Sequence, residues 1–132
     1  MPQQMSKQQH FEICVQAHFS AAHHLRGYPG DCQRPHGHNW NVDVHVECSR
    51  LDELGIGIDF RDVKNAIKAA VDGLDHSDLN MLPLFQDENP TSENIAKYLY
   101  RALAGQLDGG AVRVKSVRVS ETASCGVIYC ED

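Results

Sequence analysis

Residues 11–23 read FEICVQAHFSAAH, and residues 36–48 read HGHNWNVDVHVEC. In both stretches apolar and polar side chains alternate, which is the period of a β-strand with one buried face. The apolar set of the first stretch ends at His23, and that of the second begins at His36 and His38. Each predicted strand therefore carries imidazole on its apolar face, next to a Gly- and Pro-rich connection at 24–35 that predicts a loop.

Downstream of these strands, the pattern predicts two helices and two further strands. Asp59 can cap a helix over about 60–73, and Thr91 or Ser92 can begin a second helix. Strands are expected near 111–121 and 125–130. The buried parity changes within the first of these, which predicts a β-bulge near Lys115 and Ser116. Residues 75–90 are expected to form a long loop, and such loops in small domains are often functional.

The order ββααββ predicts an α+β fold, a four-stranded antiparallel sheet with both helices on one face. The uncovered face and the sheet edges could then be buried by oligomerisation. We expect residues 1–10 to be a flexible N-terminus and residues 11–132 to form a single domain.

Composition limits the classes of partner. The 132 residues include 18 acidic and 12 basic side chains, a net charge of −6, and no Lys/Arg cluster. Binding to nucleic acid or to anionic membranes is therefore not expected. No apolar run approaches the ~18 residues that a membrane span needs, and the polar start lacks a secretory signal, so a cytoplasmic location is expected. Five cysteines, an odd number without regular spacing, argue against a disulfide framework.

Five of the eight histidines fall between residues 18 and 38. Strand parity places His23, His36 and His38 on apolar faces, where neighbouring strands would bring the three imidazoles together. Three neutral imidazoles suit zinc and leave a fourth position for water or substrate. Two alternatives remain open: isolated histidines satisfied by backbone groups, or a structural site closed by Cys32.

Three further groups are candidates for acid–base chemistry. A thiol such as Cys32 beside a dication has a lowered pKa and can act as a base. Asp75 could orient His76, although a histidine at a helix C-terminus is also favoured by the dipole alone. Glu121 lies on a predicted inner face and needs a partner. That partner could be a guanidine-like edge of a ligand or, slightly favoured, an arginine of the protein.

Taken together, these motifs resemble the 6-pyruvoyltetrahydropterin synthase family. The spacing Cys-x₃-His-Gly-His is similar to the bacterial 6-carboxytetrahydropterin synthase branch of queuosine precursor synthesis. His24 departs from the pattern, since these proteins commonly carry arginine there. The matching stretches are 19–23, 32–38, 58–60, 74–80, 89–94 and 121–129.

The resemblance implies the tunnelling fold, in which three subunits form a barrel and two trimers stack into a homohexamer. It implies Zn²⁺ on His23, His36 and His38. It implies Cys32 as the catalytic base, with Asp75 and His76 as its relay. It also implies a pterin held by Glu121, which would share as a catalytic residue in proton transfer, with Thr91, Ser92 and Glu93 nearby.

The implied reaction converts 7,8-dihydroneopterin triphosphate to 6-carboxy-5,6,7,8-tetrahydropterin, acetaldehyde and triphosphate, which would make the protein a zinc-dependent lyase. One alternative is triphosphate elimination to 6-pyruvoyltetrahydropterin. Others are a non-catalytic, zinc-stabilised binding module and a pterin-binding relative with unrelated chemistry.

Overall fold

The computed structural model describes residues 7–30 and 33–132. Part of the expected N-terminal segment 1–10 therefore lies outside the described residues. The elements, in chain order, are β1 (Phe11–His23), β2 (His36–Cys48), α1 (Phe60–Val71), β3 (Ser77–Asp78), α2 (Ser92–Leu107), β4 (Val112–Thr122) and β5 (Cys125–Tyr129).

The first two strands form one long antiparallel pair, from Phe11 opposite Cys48 to His23 opposite His36. The alternation predicted from sequence is confirmed, because the apolar set is mostly buried and the other set faces away. Phe19 and Trp40 stack with ring centroids 5.8 Å apart, directly across the pair. This pairing carries the histidines of β1 and β2 to one end of the sheet.

The sheet has five strands in the order β3-β1-β2-β4-β5, so the expected four-stranded antiparallel sheet is wrong by one strand. The additional strand, β3, is two residues long and pairs parallel with β1 through Ala21 and Ala22. Two residues are too few to show the alternation of apolar and polar side chains that predicts a strand. This strand therefore has no signal in the sequence. The element order is consequently ββαβαββ, while the α+β class is as expected.

The predicted bulge in β4 is confirmed. His45 pairs with Ser116 and Val46 pairs with Val114, which leaves Lys115 as the extra residue. The bulge keeps Val114 and Val117 on the same buried face although their numbers differ in parity. A second register shift leaves Glu121 unpaired between the Ser120–Gly126 and Thr122–Cys125 pairs of β4 and β5, so both irregularities affect the side of the sheet that Glu121 occupies.

Both helices begin where the capping residues predict. The Asp59 side chain accepts the Arg61 amide, and the Thr91 hydroxyl accepts the Asn94 amide at 3.1 Å. Helix α1 ends at Val71, two residues before the expected end. The two helices contact each other, α1 packs on β1, and α2 packs on β4 and β5. One face of the sheet is thus covered by helices, as the sequence indicates.

The segment 75–90 is more ordered than the expected loop. Besides β3, it contains two short 3₁₀ turns, Leu79–Met81 and Pro83–Phe85. Leu79 and Phe85 are buried in the core, and their burial holds this segment in place although it contains no long helix. Among the described residues, no helix has the length and apolarity to cross a bilayer.

Candidate metal centre and adjoining cleft

Three imidazoles meet at the end of the β1–β2 pair. One potential ligand nitrogen from each of His23, His36 and His38 lies within 4.8 Å of the other two. The ring centroids of His23 and His36 are 4.5 Å apart, and those of His36 and His38 are 4.8 Å apart. The indole of Trp40 packs edge-on against His23 and His38 beneath the cluster. The convergence predicted from strand parity is therefore present.

Backbone carbonyls orient two of the three rings. Nδ1 of His23 donates to the Pro90 carbonyl at 2.8 Å, and Nδ1 of His36 donates to the Arg34 carbonyl at 2.8 Å. In the neutral rings this leaves both Nε2 atoms with free lone pairs. Groups that bond the remote nitrogen in this way fix the tautomer that a metal requires.

The cluster satisfies the chemical requirements of a divalent cation. Nε2 of His23 and of His38 is buried, and neither atom makes a hydrogen bond within residues 7–30 and 33–132. Buried polar atoms without partners are costly, so a cation that accepts their lone pairs resolves the cost. Burial also lowers the pKa of His23, against smaller raising effects of the Pro90 carbonyl and the Glu121 carboxylate. The neutral, ligating form of His23 is thereby favoured.

A side-chain clamp holds the segment that contains Pro90. The Asn89 side-chain oxygen accepts the Arg26 amide at 2.9 Å, and its amide nitrogen donates to the Arg26 carbonyl at 3.0 Å. The Arg26 guanidinium donates to the carbonyls of Phe85 and Glu88 at 2.5 and 2.6 Å. Arg26 is therefore bonded to the segment that leads into Pro90, whose carbonyl orients His23.

We expect Asn89→Ala to lower zinc affinity by about 10- to 100-fold, the usual cost of losing a group that orients a metal ligand. The substitution removes the Asn89–Arg26 bonds and loosens the adjacent Pro90 carbonyl. Competition with a zinc chelator measures the change. Gln86→Ala is the matched control, since Gln86 bonds the Asn80 and Leu82 carbonyls of the same segment without reaching Pro90. Equal zinc affinity in both variants would contradict this role.

Glu121 stands between the imidazole cluster and a cleft of about 380 Å³. Its carboxylate oxygens lie 3.7 Å from His23 Nε2 and 3.4 Å from His38 Nε2, and the Ser92 hydroxyl lies 3.4 Å away. The slightly favoured arginine partner is not found: among the described residues, Glu121 lies within ion-pair distance of His23 and His38 and of no arginine. The register that pairs Asn41 with Ser120 brings Glu121 to the start of β2.

The residues that begin α2 line this cleft. Thr91, Ser92 and Glu93 all border it, together with Arg26 and Tyr28. Thr91 is also the helix cap, so its hydroxyl is occupied by the Asn94 amide. The three residues named from the resemblance are therefore beside Glu121, with Ser92 in contact with it.

Asp75 and His76 form a pair beside β1, on the side of that strand away from β2. His76 Nδ1 lies 3.0 Å from Asp75 Oδ1, which also accepts the Ser20 amide at 2.9 Å. The Ser20 amide, with a smaller effect of His76, holds the pKa of Asp75 below its ordinary value. The His76 side chain is 82% exposed, and its φ of 57° is rare for a residue other than glycine. A strained, exposed and anchored imidazole is typical of a functional group.

This pair does not join the imidazole cluster within the described part of one chain. Asp75 contacts His76 and the Ser20 amide on the side of β1 that carries β3. Glu121, by contrast, approaches the cluster from β4. Cys32, the expected base, lies outside the described residues. The main chain of His24, the departure from the family pattern, is held by the Asn80 side chain.

Strand parity could identify the imidazoles, but not the groups that orient them. The Pro90 and Arg34 carbonyls are main-chain atoms without a sequence signature. The only indication of Asn89 in the sequence is that it lies in 89–94, one of the stretches that resemble the family. The fold and these groups define an α+β protein in which three histidines beside a cleft could hold a metal ion.

Comparisons with known proteins agree with this class. The family model described as 6-pyruvoyl tetrahydropterin synthase matches residues 12–132. A 6-carboxy-5,6,7,8-tetrahydropterin synthase of Synechocystis sp. is 37% identical over 117 residues, covering 84% of this chain and 86% of the relative. A protein of the same name from Rickettsia felis is 30% identical over 131 residues, with coverages of 83% and 92%.

A solved structure shows the same fold. The 6-pyruvoyl tetrahydropterin synthase of Caenorhabditis elegans matches with a TM-score of 0.84 at 24% identity, covering 97% of this chain and 100% of that one. The chain therefore belongs to the 6-pyruvoyl tetrahydropterin synthase family. The subunit fold expected from the resemblance is confirmed.

Proposed function

We propose that the protein converts 7,8-dihydroneopterin triphosphate to 6-carboxy-5,6,7,8-tetrahydropterin, acetaldehyde and triphosphate, using zinc. The observation that carries this proposal is Glu121, whose carboxylate borders both the imidazole cluster and the cleft. A carboxylate can accept two hydrogen bonds from the amino-pyrimidine edge of a pterin. A pterin so anchored would direct its side chain towards His23, His36 and His38. The relatives named 6-carboxytetrahydropterin synthases support this choice of reaction.

The proposed roles follow the geometry. Zinc, when bound, acts as a Lewis acid that polarises the side-chain hydroxyls of the substrate. Glu121 holds the pterin ring, and Thr91, Ser92 and Glu93 form the cleft wall beside it. Cys32 removes a proton from the substrate side chain, and this type of positioned base typically contributes about 10²- to 10⁴-fold.

Asp75 and His76 are proposed to relay the proton of Cys32. The pair lies at the sheet edge, outside the cluster of its own chain. We propose that the pair of one subunit serves the site of a neighbour in a homo-oligomer, a trimer or a dimer of trimers.

The uncovered sheet face supports the same assembly. Gln16, His18, Asn39 and Asn41 lie exposed on the face opposite the helices, and β5 pairs on one side only. Association of subunits would bury both features. We further propose a cytoplasmic location and no nucleic-acid or membrane partner.

Incubation with dihydroneopterin triphosphate and zinc is expected to release one acetaldehyde for each substrate consumed. Acetaldehyde and triphosphate are measured together, since only the carboxy-forming reaction produces the aldehyde. Triphosphate without acetaldehyde would replace the proposal with the pyruvoyl-forming reaction. No turnover, together with zinc held by a fourth sulfur ligand at about 2.3 Å, would indicate the non-catalytic binding module.

A further inference from the structure

The two oxygens of Glu121 face two different imidazole nitrogens. Oε1 lies 3.7 Å from His23 Nε2, and Oε2 lies 3.4 Å from His38 Nε2. Both separations exceed the 2.7–2.9 Å typical of a hydrogen bond between a protonated imidazole and a carboxylate. The carboxylate therefore approaches the nitrogens without forming good hydrogen bonds to them.

For His23, the reason is that both atoms are acceptors. The Nδ1–H of His23 is used by the Pro90 carbonyl, so Nε2 presents a lone pair in the neutral ring. The ring is only 1% exposed, and its Nε2 makes no hydrogen bond within the described residues. Two lone pairs that face each other repel unless a cation lies between them.

The closer of the two separations equals the spacing of neighbouring ligand atoms on one zinc ion. Zinc bonds of about 2.0–2.1 Å in a tetrahedron place neighbouring ligand atoms about 3.4 Å apart. The 3.4 Å between Oε2 and His38 Nε2 equals this spacing, and the 3.7 Å between Oε1 and His23 Nε2 is slightly longer. Each carboxylate oxygen is therefore within reach of an ion held by the neighbouring imidazole. Zinc accepts carboxylate oxygen as readily as imidazole nitrogen, at similar bond lengths.

We propose that, in the protein free of pterin, Glu121 binds the same metal ion as His23, His36 and His38. A pterin entering the cleft then withdraws this carboxylate from the metal and exposes the fourth position. This second step rests on the proposed function, because it uses Glu121 as the pterin anchor. The metal is thus opened only when the ring that carries the reacting side chain is in place.

The surroundings of Glu121 permit both positions. Its side chain is 34% exposed and borders the cleft, so a rotation does not disturb the core. The Ser92 hydroxyl, in the first turn of α2, lies 3.4 Å from Oε1. A carboxylate near the start of a helix is favoured by the helix dipole. Glu121 can therefore leave the metal without losing all of its stabilising contacts.

Competition for one carboxylate has a measurable and reciprocal effect. If Glu121 cannot serve metal and pterin together, zinc must weaken pterin binding, and pterin must weaken zinc binding by the same factor. Such coupling is typically about 5- to 150-fold. A pterin with only a methyl group at C6 is the suitable probe, because it has no side-chain hydroxyl with which to bind the metal.

The test uses the full chain and compares two affinities. We expect 6-methylpterin, titrated by calorimetry, to bind the zinc-free protein at least about 5-fold more tightly than the zinc-loaded protein. Without pterin, we expect Glu121→Gln to lose about 10-fold or more in zinc affinity by chelator competition. Glu93→Gln is the matched control, since Glu93 borders the cleft without an ion pair to the imidazoles, and should retain wild-type zinc affinity.

The outcomes separate this inference from the proposed function. Pterin binding of equal strength with and without zinc would overturn the displacement, while leaving the pterin site intact. Unchanged zinc affinity in Glu121→Gln would overturn the ligation. If 6-methylpterin bound neither form, the proposed function and the displacement would both fail. The zinc affinity of Glu121→Gln would still decide whether Glu121 is a ligand.

Discussion

Replacement of His38 by alanine is expected to remove the metal ion and to abolish turnover while the fold persists. Loss of a group that merely orients a metal ligand costs about 10- to 100-fold in affinity, so loss of a ligand should exceed about 100-fold. His38 is the suitable choice because its side chain is 20% exposed, whereas that of His23 is 1% exposed and packs on Trp40. Zinc content and circular dichroism of the purified variant are the measurements.

The control for this variant is His45→Ala. His45 lies on the same strand, but on the opposite face, where it pairs with Glu12 at 3.2 Å. Its replacement should leave the zinc content near one per chain. A His38→Ala protein that still held one zinc per chain at wild-type affinity would show that the cluster is not the metal site.

The second large effect is expected at Cys32. Cys32→Ala should lower turnover by about 10²- to 10⁴-fold, the usual contribution of a positioned base. Its zinc content should remain near one per chain, because His23, His36 and His38 provide the ligands. Turnover and zinc are measured on the same preparation. Cys125→Ala, which removes an exposed thiol of β5, is the control.

Loss of zinc together with turnover would show that Cys32 is a ligand. That result would favour a closed structural site over a catalytic one. It would also oppose the ligation by Glu121, since a tetrahedral ion has four positions. Zinc binding by Cys32→Ala and by Glu121→Gln, taken together, therefore shows which of the two residues is the fourth ligand.

The elements predicted correctly are those with a local signal. Alternation over thirteen residues predicted β1 and β2 with their exact bounds, because one face is buried along their whole length. The same parity chose His23 and not His24. Asp59 and Thr91 predicted the helix starts because a capping side chain acts on its own next turn.

The features that were missed depend on contacts distant in sequence. Strand β3 exists through main-chain bonds to β1, and no pattern of two residues can reveal it. The partners of Glu121 follow from the pairing of β4 with β2, about eighty residues apart. The edge position of Asp75 and His76 likewise follows from bonds to Ser20, 55 residues away from Asp75.

The bulge at Lys115 restricts insertions and deletions in the part of β4 that follows it. Beyond it, odd-numbered residues point to the helices, and Glu121 is the last of them. Deleting or inserting a single residue between Ser116 and Glu121 would turn the carboxylate to the opposite side of the sheet. In related genes, gaps within this short interval should therefore come in pairs, whereas the neighbouring turn at 123–124 is free of that restriction.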